Sequence, residues 1–481
     1  MQVNNSFGAV AAGHQQTVDA AVTILRNGGN AFDAALAALL CSTLTETCMS
    51  SMGGGAFAVF RTKESKTGVI DFFCQTPRHK KPVEQLHFYP HVVHFGDSSE
   101  IFHVGLGAMA TPGMPAGIML LHKTLCKIAL PELAAFAIEV SKNGAIVDEF
   151  QELDFDLLEG VLLSSDAGRA MFAGRDSSLL RNGDTMYLPQ LGDFIDYLSR
   201  HGCDEFYKGE PAGNISKACK TKGGHLSMDD FENYSAVIRK SLNFRKNNVN
   251  FYTVPAPSMG GGILQNLILN DHWFSAGRHE FVKCYSDAIS GAKNCYSTKN
   301  KRGNTSHLSI TDREGNSIAI TMTNGEGCGF VVPDTQILMN NMLGESMLMP
   351  AGFHSWQPNT RLASMMTPVI CDEPEQPLII SAGTGGAGRI PYMLAQFFRY
   401  MMREKLPLSE AVEAPRLHFQ EDAFQIEPGL IFEESNLPPD TSLVKWQMKN
   451  LYFGGINAVK LQNGQLSAYG DSRRWGKAAV V

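Results

Sequence analysis

The chain is poor in charge and has no surplus of basic residues. Asp, Glu, Lys and Arg make up only 19% of its 481 residues, and 48 acids against 41 bases leave a formal charge of −7. A nucleic-acid footprint needs clustered Lys and Arg, so no nucleic-acid partner is expected. Long apolar runs are also missing: Ala34 to Cys41 is among the longest and falls far short of the roughly 20 residues that span a bilayer. The ten cysteines form no C-x-x-C pair, and His14, His79, His91, His94 and His103 lack metal-ligand spacing with cysteines or acids. Buried reduced thiols and no metal site are therefore expected. Met1 to Gly13 shows no basic stretch leading into an apolar core, so no signal peptide is expected and a reducing, cytoplasmic setting is favoured.

Glycine is plentiful instead. Its 46 residues cluster at Gly53–Gly55, Gly260–Gly262 and Gly383–Gly388, where the backbone must turn tightly or be approached closely. Apolar spacing predicts helices over Gly13 to Arg26 and Ala31 to Cys41, the second capped by Asn30 with Asp33 three residues on. Further helices are expected over 116–126, 131–142, 148–160, 262–269 and 391–403. Strands are expected over 52–60, 68–73, 250–254, 306–312, 317–323, 329–332 and 377–381, with a polar loop at Lys299 to Asn304. Helices come first and strands later, which suggests layers shared between the two halves of the chain.

The hairpin over 305–323 can be read in more detail. A two-residue loop would mix apolar and polar faces. A three-residue loop, Arg313-Glu314-Gly315 with Gly315 left-handed, sets Leu308 against Ile320 and Ile310 against Ile318. The other face then carries Thr305 opposite Thr323, His307 opposite Thr321 and Ser309 opposite Ala319. The bland alternative is a solvated hairpin face, since threonine favours strands anyway. The sharper reading is a nucleophile at Thr305. A threonine hydroxyl needs a base, and a free α-amine on the same residue would serve if the chain were cut between Asn304 and Thr305.

Gly383-Thr384-Gly385-Gly386-Ala387-Gly388 follows a predicted strand and precedes a predicted helix. One reading is a dinucleotide-binding loop, although no second parallel strand ending in an acid follows. The other is that the Gly386 and Ala387 amides face a developing oxyanion.

These segments, in order, resemble the γ-glutamyltransferase (γ-glutamyltranspeptidase) family along almost the whole chain. The resemblance rests on Gly28-Gly29-Asn30-Ala31-Phe32-Asp33-Ala34-Ala35, Ser50 to Phe57, Gly107 to Gly113 and Pro257 to Gly261. It continues through Thr305-Ser306-His307 with Asp312, Gly315-Asn316 and Thr321-Met322-Thr323, then Asn340-Asn341, Ser364 to Pro368 and Gly383 to Ile390. It implies an α+β fold, the four-layer αββα sandwich of N-terminal nucleophile hydrolases. It implies self-cleavage before Thr305 into a 1–304 segment and a 305–481 segment that stay associated as one intertwined domain. Thr305 would be the nucleophile, with Thr323 orienting its new amine and Gly386 and Ala387 supplying oxyanion-hole amides. Asn340, Ser364 and Asn324 would line the donor pocket, and Glu345 would keep the charge at the family's α-amine site. The implied chemistry is acyl transfer from a γ-glutamyl or related small-molecule or peptide amide, without metal or organic cofactor. Phe73 stands where the family has the arginine that holds the glutamyl α-carboxylate, and Gly325 stands where it has an asparagine. A fold-retaining, non-enzymatic member is the alternative that these departures leave open.

Overall fold

Two antiparallel sheets stacked face to face carry the site. The structure is a computed structural model and describes residues 6–95, 98–277, 280–293, 304–420, 423–434, 437 and 442–481. The first sheet has seven strands in the order Lys477–Val480, Gly8–Ala12, Thr305–Asp312, Ser317–Thr323, Gly55–Arg61, Thr67–Phe72 and Val237–Arg239. The second has six, in the order Gln465–Gly470, Gly455–Gln462, Leu378–Gly385, Val369–Glu373, Val249–Thr253 and Leu242–Lys246. Both sheets draw strands from before and after residue 305. Gly8–Ala12, for example, pairs with both Thr305–Asp312 and Lys477–Val480.

Helices cover both outer faces. Leu308, Ile310, Ile318 and Ile320 project from the first sheet into a core shared with the helices Gln15–Arg26, Ala31–Thr45 and Leu130–Asn143. A second core joins Val369, Ile370 and Ile380 of the other sheet to the helices Gly260–Leu269 and Ile390–Met402. This is the αββα sandwich. Among the described residues, no helix is long and apolar enough to cross a membrane.

Local chemistry sets the boundaries. His14 caps the first helix, its Nδ1 accepting from the Gln16 amide at 3.1 Å, so the helix begins at Gln15 rather than Gly13. Asn30 and Asp33 form the expected capping box. The helix they start runs on to Thr45 and is buried at every position, because a sheet lies beneath it and further helices lie above. Asp312 Oδ2 accepts from the Ala31 amide at 3.0 Å, which ties the end of the Thr305 strand to that helix N-terminus.

The hairpin adopts the register read from parity. Thr305 faces Thr323, His307 faces Thr321, Leu308 faces Ile320 and Ile310 faces Ile318, with Gly315 at φ 87° in the turn. Its hydroxyl-bearing face is not solvated, since every residue of both strands is buried. That face meets the second sheet. Ser309 donates to the Asn457 carbonyl at 3.1 Å, Asn457 Nδ2 donates to the His307 carbonyl at 2.8 Å, and Ser381 Oγ donates to the Ile318 carbonyl at 3.0 Å. The expected loop at Lys299 to Asn304 lies outside the described residues except for Asn304.

Candidate active site

Thr305 is the first residue of its strand and is buried in the uncleaved chain. Four groups hold the peptide on either side of it. The Asn304 amide donates to Glu326 Oε1 at 3.1 Å, and its side-chain amide donates to Asp154 Oδ1. Thr323 Oγ1 donates to the Asn304 carbonyl oxygen. Arg474 Nη1 donates to the Thr305 carbonyl at 3.3 Å. The Thr323 hydroxyl also accepts from the Gly325 amide at 3.0 Å, and this bond leaves its single proton for Asn304. Thr323 therefore contacts the carbonyl of the peptide between Asn304 and Thr305, not a free Thr305 amine.

Carboxyl groups surround this peptide in a dry environment. Burial pushes Asp154 up to about 7, against the opposing pull of the Asn304 amide and the Arg474 charge. Burial, followed by the charges of Glu345 and Asp154, holds Glu326 well above the ordinary carboxylate range. Glu46 is also raised to about 7 by burial, although the Ser306 and Thr17 hydroxyls donate to it. Burial, with Arg389 nearby, lowers the Arg474 guanidinium to about 10. Near neutral pH Asp154 and Glu46 exist partly as neutral proton donors.

His307 has a different role. Its Nδ1 lies 2.8 Å from Thr321 Oγ1 and its Nε2 2.8 Å from Ser309 Oγ. Burial lowers its pKa to about 3. It is a neutral ring bracing the sheet interface, with both nitrogens committed away from Thr305.

A cleft opens beside Thr305, and Thr305, Thr323, Phe73, Glu345, Ser364 and Ala387 all line it. Ser364 is held there by Met259 and Ser258, which donate to its carbonyl at 2.9 and 2.7 Å, while its hydroxyl accepts from the Met366 amide at 3.0 Å. Gly386 adjoins Ala387, and the two take successive positive φ values of 121° and 50° at the entry to the helix Ile390–Met402. A left-handed alanine is costly enough to suggest a constrained functional turn.

Two expected pocket residues are not among the cleft-lining residues. Asn340 spends its whole amide on backbone: its nitrogen donates to Gly53 and Ala110 at 2.7 and 2.9 Å, and its oxygen accepts from Ala110 and Met342 at 3.0 and 3.2 Å. It fastens loops behind the cleft. Asn324 is fully buried; its nitrogen donates to Leu338 at 3.3 Å, and its Oδ1 has no hydrogen-bond partner among the described residues. The glycine at 325 has a steric reason: a Cβ there would sit 2.0 Å from Asn341 Oδ1 and 2.7 Å from Glu345 Oε1, at a φ of 63°.

The dinucleotide reading of Gly383 to Gly388 is corrected here. The strand expected to end at Ser381 runs through Gly385, antiparallel to both neighbours. The first half of the apparent phosphate loop is therefore sheet. These glycines serve close packing: a Cβ on Gly383 would sit 2.2 Å from the His307 ring, and one on Gly385 would sit 2.1 Å from the Thr305 carbonyl oxygen.

Several charged groups of the site were not found from sequence. Asp154 left one signal, an acid on the buried stripe of its helix between Phe150 and Leu158. Glu326, Glu46 and Arg474 belong to no pattern, and only the fold brings them to Asn304, Ser306 and Thr305 respectively.

A sandwich of this kind with a threonine at the head of a central strand defines an N-terminal nucleophile hydrolase fold. The chain belongs to the gamma-glutamyltranspeptidase family, whose model matches residues 17–294 and 275–481, and so to a family of hydrolase and transferase enzymes. It is 25% identical over 486 residues to the glutathione hydrolase proenzyme of Escherichia coli (strain K12), spanning 88% of this chain and 83% of the relative. It is 26% identical over 554 residues to that of Bacillus subtilis (strain 168), spanning 98% and 91%. Among solved structures, cephalosporin acylase from Bacillus halodurans shares the fold at a TM-score of 0.80 and 20% identity, covering 98% of this chain and 96% of that one.

Proposed function

We propose that the chain cuts itself between Asn304 and Thr305 and then uses Thr305 as an N-terminal nucleophile in acyl transfer from γ-glutamyl or related amides. The observation that carries this reading is the Thr323 hydroxyl bound to the Asn304 carbonyl, directly across the ladder from Thr305.

In self-cleavage the Thr305 hydroxyl attacks the Asn304 carbonyl carbon. Thr323 supports the oxygen as it gains charge. The C–N bond breaks, the proton given up by the hydroxyl passes to the departing nitrogen, and an ester joins Asn304 to the Thr305 side chain. Asp154, whose burial raises its pKa to about 7, is the nearby group able to relay that proton. Water then hydrolyses the ester, leaving an Asn304 carboxylate and a free Thr305 amine. The 1–304 and 305–481 segments stay together because both contribute strands to each sheet. The name proenzyme carried by both relatives supports the reading.

In turnover the Thr305 hydroxyl attacks the donor carbonyl while its own α-amine accepts the proton and delivers it to the departing amine. Gly386 and Ala387 amides support the oxyanion, and Ser364 and Glu345 contact the donor. Water or a second amine releases the acyl group. Incubating the purified two-chain protein with a panel of acyl anilides tests the reading: release of the aniline with transient mass gain on the 305–481 chain supports it, and no acylation by any donor contradicts it.

A further inference from the structure

The strand that begins with Thr305 is held on both faces, and the hold on the face away from the cleft comes from a carboxyl group that the acyl-transfer steps do not use. Side chains alternate along a strand, so Ser306 points opposite to Thr305, toward the helices. There its hydroxyl donates to Glu46 Oε2. Glu46 is buried at the C-terminal end of the helix Ala31–Thr45. Its Oε1 lies 3.1 Å from Thr17 Oγ1 of the helix Gln15–Arg26. Its carbonyl accepts from the Met49 and Ser50 amides at 2.8 and 2.7 Å. One residue thus joins the strand of the nucleophile, the first helix and the turn that leads to Gly55–Arg61, the strand paired with Thr323. The neighbouring backbone is shaped to admit it: a Cβ on Gly13 would lie 2.2 Å from Glu46 Oε2 and 3.0 Å from Ser306 Oγ.

The hydroxyls around Glu46 accommodate either of its protonation states. Thr45 donates to the Cys41 carbonyl at 3.2 Å, and the Thr17 and Thr45 hydroxyls are 2.9 Å apart. With Glu46 neutral, its proton goes to Thr17 and Thr17 donates to Thr45. With Glu46 ionised, Thr17 turns its proton to Oε1. Rotation of one hydroxyl covers the change, while Ser306 donates in both states. The titratable groups around it are Cys41 of its own helix, His14 at the cap of the first helix and Asp148 at the cap of Glu149–Leu162. Burial pushes the Cys41 thiol up and lowers His14, which lies 3.8 Å from Asp148. Burial, against the Ser306 and Thr17 hydroxyls and with the Asp148 charge, brings Glu46 to about 7. Above that pH its bond from Ser306 is charge-assisted and stronger.

We propose that Glu46 is a positioning residue for the nucleophile, holding Thr305 in its attacking geometry through Ser306. This rests on the Thr305 acyl-transfer reading and adds a residue to it. Once the bond before Thr305 is cut, Asn304 no longer anchors that residue through the chain. What remains are the ladder to Thr323, Arg474 on the Thr305 carbonyl and the bond from Ser306 to Glu46. The last of these tightens when Glu46 ionises. A nucleophile displaced by about 1 Å loses on the order of a hundredfold in rate, so a partial loosening of the strand's first residue is visible in kcat.

The test measures kcat and KM for L-γ-glutamyl-p-nitroanilide between pH 5.5 and 8.5 on the mature wild-type protein, Glu46→Gln and Ser306→Ala. Glutamine accepts from Ser306 and donates to Thr17 as the neutral acid does, but it cannot ionise. The Thr305 amine titrates in both proteins, so the ratio of their kcat values isolates Glu46. The ratio of wild type to Glu46→Gln is expected to be near one at pH 5.5 and to climb through about pH 7 to roughly tenfold at pH 8.5, with KM within about twofold. Ser306→Ala, which leaves Glu46 in place, is expected to show the same loss at pH 8.5, and it decides the matter if the glutamine variant fails to fold or mature. A kcat ratio that stays constant with pH, a loss confined to KM, or wild-type kcat in Ser306→Ala at pH 8.5 would overturn the inference while leaving Thr305 as the nucleophile. A wild-type chain that never cleaves and is not acylated by the anilide would instead overturn the underlying reading, and this inference with it.

Discussion

The hydroxyl of Thr323 donates its proton to the carbonyl oxygen of Asn304, one residue before the threonine that faces it across the ladder. The bond is set by the register and by the Gly325 amide, which occupies the hydroxyl as an acceptor. The contact therefore lies where charge would develop in the proposed attack of Thr305.

Thr323→Val keeps the strand shape and removes that donor. Loss of one donor to a developing oxyanion costs about 3–4 kcal/mol, or roughly a hundred- to thousandfold in rate. Self-cleavage of the variant, followed as the fraction of intact chain against time, is expected to slow by that order while the folded structure persists. An unchanged rate would remove Thr323 from the process.

Asp154 gives the protein a characteristic pH dependence. Its folded pKa is raised from 3.8 to about 7, so the fold favours the neutral carboxyl. That contribution to stability is complete below about pH 4 and is lost as the pH rises through about 7. Asp154→Asn keeps an oxygen for the Asn304 side chain and has no proton to lose. Relative to wild type, its melting temperature is expected to rise progressively between pH 4 and 7 and then level off. His307 acts in the opposite sense: with its pKa lowered from 6.5 to about 3, it contributes stability above pH 6.5 that is lost as the pH falls toward 3. A difference between the Asp154→Asn variant and wild type that stays constant across pH 4–7 would contradict the assignment of Asp154.

Gly383 and His307 test the sheet interface. The imidazole is held by Thr321 and Ser309 and cannot swing aside, so the 2.2 Å approach of a new methyl group has to be absorbed by the backbone. Gly383→Ala is expected to destabilise by about 1–3 kcal/mol in chemical denaturation. A neutral result would show that the sheets slide freely at this point.

Much of this architecture was legible in the sequence because local chemistry and periodicity agreed. The capping box at Asn30 and the parity of the 305–323 hairpin each specify one arrangement, and both occur. The hairpin's burial was not legible: alternation says which residues share a face but not whether a second sheet covers it. The run Gly383 to Gly385 misled for a related reason. Glycines that open a phosphate loop and glycines that admit a neighbouring sheet look alike until His307 and Thr305 are placed against them. The site divides in the same way. Residues fixed by motif order, such as Thr305, Ser364 and Ala387, fall on one cleft. The buried charges of Glu326, Glu46 and Arg474 are brought in from separate elements by long-range packing, which no local spacing records.

The most direct test of the whole account is intact mass with N-terminal sequencing of the purified wild-type protein beside Thr305→Ala. The account predicts two wild-type chains, the smaller beginning at Thr305, and a single unbroken chain for the variant. A folded wild-type protein in which the bond between Asn304 and Thr305 remains whole would contradict it.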